Sequence, residues 1–160
     1  MTPVSNATPL IHLSRIGRLE LLRELYAEVI VPDAVATEVS RYLAPELDAG
    51  FTSGWLKRAN ASNRAGVDRI ERDLGGRGEA EVIAIALELE SAIVLIDEKA
   101  ARAYALSQGL RVLGTIGVVL QAKRRGLIER ATPLLDDLRE RGFWLDDATY
   151  RRARDLAAES

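Results

Sequence analysis

Short apolar runs alternate with amphipathic helical patterns along this chain, and this alternation is the feature that most limits its fold. The runs lie at residues 29–31, at residues 93–96 and in the segment LRVLG, and a first short run ends near Val4. Short strands separated by helices favour a parallel sheet with helices on both faces. We therefore predict an α/β fold with a central, mainly parallel sheet, built by residues 1–160 as a single domain.

The remaining pattern predicts several helices and one long loop. Pro45, Gly50 and Gly54 weaken the pattern between residues 41 and 54, which we interpret as mostly loop. The segment WLKRA is a candidate short strand. Helices are predicted over residues 9–12, 19–26, 32–40, 67–74, from the GGRG segment to about residue 89, from residue 97 to about 108, and over 117–125, 133–141 and 146–158.

Composition excludes several classes of protein. The 160 residues are 48% hydrophobic and 29% charged, as in an ordinary soluble globular protein. No apolar run approaches the roughly 18 residues that cross a bilayer, so we predict no membrane association and a cytoplasmic location. There is no cysteine, which rules out disulfides and thiolate metal sites. The net charge of −2 gives no global electrostatic attraction to nucleic acid.

Polar residues gather where the predicted strands end. In open parallel sheets, functional groups lie outside the carboxyl ends of the strands. Asn6 follows the first strand and Asp97 directly follows residues 93–96, while Glu38 lies on the helix after Pro32 and Glu79 opens the long helix after GGRG. We predict that these four side chains lie near one end of one sheet.

Each of these residues also has an ordinary structural interpretation. Asp97 is a good helix N-cap, and Asn6 suits a turn or a cap. Glu38 is compatible with a solvated helix face. Glu79 and Glu81 are both typical of a first helical turn, and only one of the two can face a given site.

A shared location for these acids points to a bound cation. Carboxylates held together repel one another unless a cation neutralises them or some are protonated. The chain has no cysteine, and His12 is its only histidine, so the ligands would all be oxygens. Oxygen ligands suit Mg²⁺ or Mn²⁺ rather than zinc.

Four blocks of the sequence, in this order and spacing, resemble a PIN domain. More narrowly, they resemble a PIN-like nucleic-acid-binding branch that is close to VapC-type toxins. The resemblance extends from Val4 to about Arg152. The blocks are VSNATPLIHLSRIGRLELL, VIVPDAVATEV, GRGEAEVIAIALELESAIVLIDEKAARAYA and GLRVLGTIGVVLQAKRRGLI.

The resemblance implies a three-layer α/β/α sandwich and an Mg²⁺- or Mn²⁺-dependent endoribonuclease. It also implies the toxin of a toxin–antitoxin pair, with RNA as substrate, a small antitoxin protein as inhibitor and a homodimeric assembly. The implied catalytic and metal-binding residues are Asn6, Glu38, Glu79 and Asp97, with Glu98 as a neighbouring alternative ligand. Asn6 stands where most PIN nucleases carry Asp, and its neutral amide implies weaker metal binding.

Further residues of these blocks are candidates for contacting substrate or supporting the site, namely Ser5, Thr8, Lys99, Arg102 and Thr115. His12 lies in an apolar helical stretch and is assigned to structure. The aromatic residues are too scattered to indicate base stacking, so we expect them in the core or at a dimer face; they include Trp55, Phe143, Trp144 and Tyr150.

Two other functions compete with the nuclease. Replacement of an acid by Asn6 is compatible with a PIN-like module that binds RNA or protein without cutting. A phosphoacceptor receiver-like domain also places acids at parallel strand ends. The receiver is disfavoured because no acidic pair follows the first strand and no lone lysine follows the strand in LRVLGT.

Overall fold

A sheet of five parallel strands forms the centre of the protein, seen here in a computed structural model that describes residues 1–159. The strands are arranged in the order β3-β2-β1-β4-β5. Their bounds are β1 (Thr2–Ser5), β2 (Val29–Pro32), β3 (Leu56–Ala59), β4 (Ala92–Leu95) and β5 (Arg111–Leu113).

Helices connect the strands and cover the sheet. The helix α6 packs across β1, β2 and β4, with α5 against it, while α8 packs with α1, α2, α9 and α10. The helical bounds are α1 (Ala7–Arg15), α2 (Glu20–Tyr26), α3 (Asp33–Val39), α4 (Pro45–Ser53), α5 (Arg64–Leu74), α6 (Arg77–Glu88), α7 (Lys99–Ser107), α8 (Thr115–Arg124), α9 (Thr132–Glu140) and α10 (Asp147–Leu156).

The predicted α/β/α sandwich is confirmed, and every strand pair in the sheet is parallel. Apolar side chains of the strands and of the facing helices form the core, and Val4, Val94, Leu95 and Ile96 are fully buried. In the part of the chain that is described, none of the helices has both the length and the apolar character needed to traverse a lipid bilayer.

The segment predicted to be mostly loop contains a helix, so that prediction was wrong. The three residues that suggested a loop mark the helix instead. Pro45 occupies its first turn, where a missing N–H costs nothing. Gly54 ends it in the left-handed conformation at φ 87°. Gly50 is buried against Trp55 and Leu56, where a Cβ would lie 2.6 Å from a Leu56 methyl carbon.

The order of the strands places a topological switch between β1 and β4. The chain proceeds from β1 to β2 and β3 on one side and then crosses to β4 on the other. Ser5 lies opposite Leu95 in the β1–β4 register, so the two strands end side by side. Ligand sites in open parallel sheets lie at such a switch, outside the carboxyl ends of the strands.

Glu159 ties the end of the described chain to two helices. Its buried carboxylate accepts hydrogen bonds from Lys123 Nζ at 2.7 Å, from Thr132 Oγ1 at 2.6 Å and from the backbone N–H groups of Ala131 and Thr132. Burial by itself raises the pKa of the Glu159 carboxyl, but the hydrogen bonds from Lys123, Thr132 and Ala131 together hold that pKa well below its usual range. The ionised carboxylate therefore stabilises the folded state.

Glu159→Gln should lower the free energy of unfolding by about 2 kcal/mol at neutral pH, because the amide cannot accept all of these bonds. A depressed folded-state pKa contributes stability above the unfolded-state pKa, and this contribution is lost as the pH falls. The difference between the two proteins should therefore shrink below about pH 4. Urea unfolding at neutral and acidic pH measures this difference in the free energy of unfolding. Glu140→Gln, at an exposed position, is the control. An equal difference at both pH values would contradict the argument.

Candidate active site

Asn6 follows β1 at the centre of the sheet edge, beside the switch. Its backbone N–H donates to the Leu95 carbonyl at 2.9 Å, which fixes the end of β1 against β4. The residue is 5% exposed, and although it precedes α1 its side chain makes no capping hydrogen bond. A cap role therefore does not explain Asn6, and its amide oxygen is available to a ligand.

Gly78, in the first turn of α6, lies against both Asn6 and Glu38. A Cβ built on Gly78 would lie 3.1 Å from Asn6 Oδ1 and 3.7 Å from Glu38 Oε2. The two oxygens therefore border the same small space, although one belongs to β1's end and the other to α3. Glycine keeps this space open because it has no side chain. The fold thus brings these two predicted residues to one place.

Asp97 lies at the end of the neighbouring strand, and Thr115 holds both of its oxygens. Oδ1 accepts from the Thr115 backbone N–H at 2.7 Å, and Oδ2 accepts from Thr115 Oγ1 at 2.6 Å. Thr115 is fully buried and begins α8, so the carboxylate also faces the positive end of that helix. A Cβ on Gly114 would lie 2.9 Å from Asp97 Oδ1 and 2.8 Å from Arg102 Nη1. These contacts fix the orientation of Asp97 and place Arg102 beside it.

The other three acids of this region have different partners. Glu98, rather than Asp97, caps α7, by accepting from the N–H groups of Ala100 and Ala101. The Glu79 carboxylate folds back over Gly76, where a Cβ would lie 2.1 Å from its Oε2. Glu81 is buried and binds Arg64 through both oxygens, at 2.6 and 3.1 Å.

These side chains provide oxygen donors from three chain segments but do not form a closed ligand set. Over residues 1–159, no three His, Asp or Glu side chains are grouped closely enough to hold one metal ion. Asn6 and Glu38 share one space, and Asp97 lies at the adjoining strand end. An amide oxygen and carboxylates are the donors that a hard divalent cation prefers. The residues present thus fit such an ion in their chemistry, with Asn6 as one of the oxygen donors.

The remaining candidates for substrate contact lie in varied surroundings. Ser5 is fully buried and its hydroxyl donates to the Asn6 carbonyl at 2.9 Å, so it supports the strand end. Thr8 is half-buried in α1, and Lys99 is exposed at the start of α7. Arg102 is exposed and makes no ion pair among the described residues. Arg102 is therefore the basic side chain best placed to meet an anion near Asp97.

His12 packs against Phe143. Its ring meets the Phe143 ring edge-on, with centroids 5.0 Å apart, and its buried Nδ1 has no hydrogen-bond partner. Burial lowers the pKa of His12, and Arg15 lowers it further, whereas the negative charge of Asp97 opposes them. The imidazole is therefore neutral at physiological pH.

Three features near these residues were not predicted from the sequence. Because Gly78 and Gly114 have no side chain, the oxygens of Asn6, Glu38 and Asp97 can lie close to the backbone at these two positions. The sequence around the two glycines did not indicate these contacts. Trp144 was expected in the core or at a dimer face, yet it is 82% exposed and lines a groove with Asp97. Trp55, which is 8% exposed, lies in the core as expected, whereas for Trp144 only the dimer face stays a prediction.

Comparison with known proteins agrees with the fold. A family model for the PIN domain matches residues 2–159, which is almost the whole chain. No curated protein matches the sequence. The match extends over all five strands and over Asn6, Glu38, Glu79 and Asp97. On this match, the chain belongs to the PIN-domain family.

Proposed function

We propose that this protein is an Mg²⁺- or Mn²⁺-dependent endoribonuclease and the toxin of a toxin–antitoxin pair. PIN domains are generally nucleases that use divalent metal ions. The observation that carries the proposal is the approach of Asn6 Oδ1 and Glu38 Oε2 around Gly78, next to Asp97 at the switch point of the sheet. This is where a parallel sheet of this topology binds ligands.

The proposed ligands are Asn6, Glu38 and Asp97, and Glu79 joins them when its carboxylate turns away from Gly76. When bound, the cation would activate water for attack on the phosphodiester and offset the charge that develops on the phosphate. Thr115 orients Asp97 through its two hydrogen bonds. Arg102 holds a non-bridging phosphate oxygen of the RNA, since its guanidinium lies beside Asp97 without an ion pair among the described residues.

The partners in this proposal are RNA, a small antitoxin protein and a second copy of the chain. Their support is the resemblance of the four sequence blocks to VapC-type toxins. Leu43, between α3 and α4, is 99% exposed and would be covered by a protein contact of this kind.

A second candidate is a PIN-like module that binds RNA or protein with little or no cleavage. Two observations favour it: Asn6 contributes no charge, and the Glu79 carboxylate is folded over Gly76. Metal affinity falls when ligand charge is removed. The two candidates differ in whether RNA is cut, not in where it binds.

An RNA cleavage assay with Mg²⁺, Mn²⁺ or EDTA tests the proposal. We expect metal-dependent cleavage that EDTA stops, and faster cleavage at low Mg²⁺, by about tenfold, in Asn6→Asp, because the added charge strengthens cation binding. Isothermal titration with Mg²⁺ gives an independent measure of the change. If the unaltered protein and Asn6→Asp both fail to cut RNA in either metal, the nuclease is excluded. Cleavage by Asn6→Asp alone would support the binding module.

A further inference from the structure

A groove runs from Asp97 across the surface formed by α7, α8 and α10. Its first part, a cavity of about 180 Å³, is lined by Asp97, Arg102, Phe143 and Trp144 among others. A second cavity of about 420 Å³ continues it towards Arg152. Arg102 borders both cavities, as do Ile116 and Thr149, so the two form one continuous path that starts at the candidate active site.

The backbone on both sides of Trp144 is anchored, although Trp144 itself is 82% exposed. The residue before it, Phe143, packs on His12, and its backbone N–H donates to the Leu138 carbonyl at 2.9 Å. The residue after it, Leu145, is 7% exposed. Trp144 therefore lies between two anchored neighbours. An indole kept in solvent by a fixed backbone forms a ready surface on which a planar ring can stack.

The charges along the groove suit a polyanion. Arg102 and Arg152 both line it, and neither makes an ion pair within residues 1–159. Asp146 also borders the first cavity, and its carboxylate, which caps α10 by accepting from the Thr149 N–H at 2.6 Å, keeps its negative charge. The second cavity is lined by Arg102 and Arg152 and, within residues 1–159, by no acidic residue, so the positive charge of the path lies there.

We propose that this groove binds single-stranded RNA next to the cleaved bond, with one base stacked on Trp144 and the backbone phosphates on Arg102 and Arg152. This inference rests on the proposed function for its choice of RNA as ligand. Arginine with an exposed aromatic ring is the usual means of holding single strands without reading sequence. Paired bases are stacked inside a duplex and cannot reach Trp144, so the groove should prefer single strands.

Fluorescence anisotropy with a short labelled oligoadenylate tests this inference, with Ca²⁺ in place of Mg²⁺ so that no cleavage interferes. Trp144→Ala should raise Kd about tenfold, while Trp144→Phe, which keeps an aromatic face, should change it about twofold. Arg152→Gln should make log K fall less steeply with log salt concentration. The slope should change by about one, as expected when one phosphate contact is lost. The control is Leu87→Ala, which removes another exposed apolar side chain, one that lines neither part of the groove.

Intrinsic fluorescence gives a second readout. RNA should quench the emission of Trp144, whereas Trp55 is buried and should be unaffected, so quenching should disappear in Trp144→Ala. Equal RNA affinity in Trp144→Ala and Leu87→Ala would overturn the inference. Failure to bind RNA at all would also overturn it, and the exposed indole would then suit a protein partner. If Trp144→Ala weakens binding but the protein cuts no RNA in Mg²⁺, the groove stands and the nuclease fails. If the protein cuts RNA and Trp144→Ala changes neither binding nor cleavage, the nuclease stands and the groove fails.

Discussion

Asp97→Asn is expected to reduce RNA cleavage by about 100-fold or more while leaving the protein folded. Residues that only support metal ligands cost 10- to 100-fold when replaced, so a charged ligand should cost at least as much. The substitution removes one negative charge with almost no change in shape. The initial rate of cleavage in Mg²⁺ measures the effect.

The fold should tolerate this change because Thr115 can adapt to it. The Asn amide oxygen can still accept the bond that Asp97 Oδ1 now accepts from the Thr115 N–H at 2.7 Å. The Thr115 hydroxyl, which now donates to Oδ2, can turn and accept a hydrogen bond from the new amide NH₂. We therefore expect the melting temperature to change by no more than about 3 °C.

Asp137→Asn is the matched control, since Asp137 is exposed on α9 and has the same chemistry. It should cleave RNA like the unaltered protein. If Asp97→Asn also cuts at the unaltered rate, Asp97 does not belong to the catalytic site. A large loss of melting temperature would instead assign Asp97 to the folding of the β5–α8 turn.

The sheet and the location of the candidate site were predictable because they depend on local signals. An apolar run such as residues 93–96 forms a buried strand, and a parallel sheet gathers the strand ends at one edge. Asn6 and Asp97 each follow such a run directly. Their proximity at that edge thus followed from strand order alone, once β1 and β4 are neighbours.

The partners of individual side chains were not predictable, because they depend on contacts between distant segments. By sequence Asp97 suits the N-cap of α7, but Glu98 caps that helix. The reason is Thr115, 18 residues further along, which engages Asp97 and leaves the cap to Glu98. The position of the Glu79 carboxylate over Gly76 likewise depends on the side-chain rotamer, which cannot be predicted from residue spacing.

Pro45 and Trp144 are two further residues whose surroundings could not be predicted from the sequence. Proline and glycine mark both loops and helix ends, so residues 41–54 were assigned to loop although α4 begins at Pro45. Tryptophan is usually placed in a core because of its size. Its exposure here follows from the packing of Phe143 on His12, a contact between segments more than a hundred residues apart.

Gly78→Val is expected to reduce cleavage strongly by filling the space between Asn6 and Glu38. The Cβ alone would lie 3.1 Å from Asn6 Oδ1, which is already tight, and the two methyl groups of valine extend beyond it. A cation could then not contact both oxygens. We expect a loss of about 100-fold in cleavage and no detectable Mg²⁺ binding by titration, since ligand positions must hold to within about 0.5 Å.

Gly78→Ala and Ala103→Val separate this effect from a general loss of stability. Alanine favours a helix over glycine by about 1 kcal/mol, so Gly78→Ala should fold at least as well and lose about tenfold in activity, because only its Cβ presses on Asn6 Oδ1. Ala103→Val adds the same β-branched side chain to an exposed position of α7 and should leave cleavage unchanged. A folded Gly78→Val protein with full activity would place the cation elsewhere, because no ion could reach Asn6 and Glu38 together past that side chain.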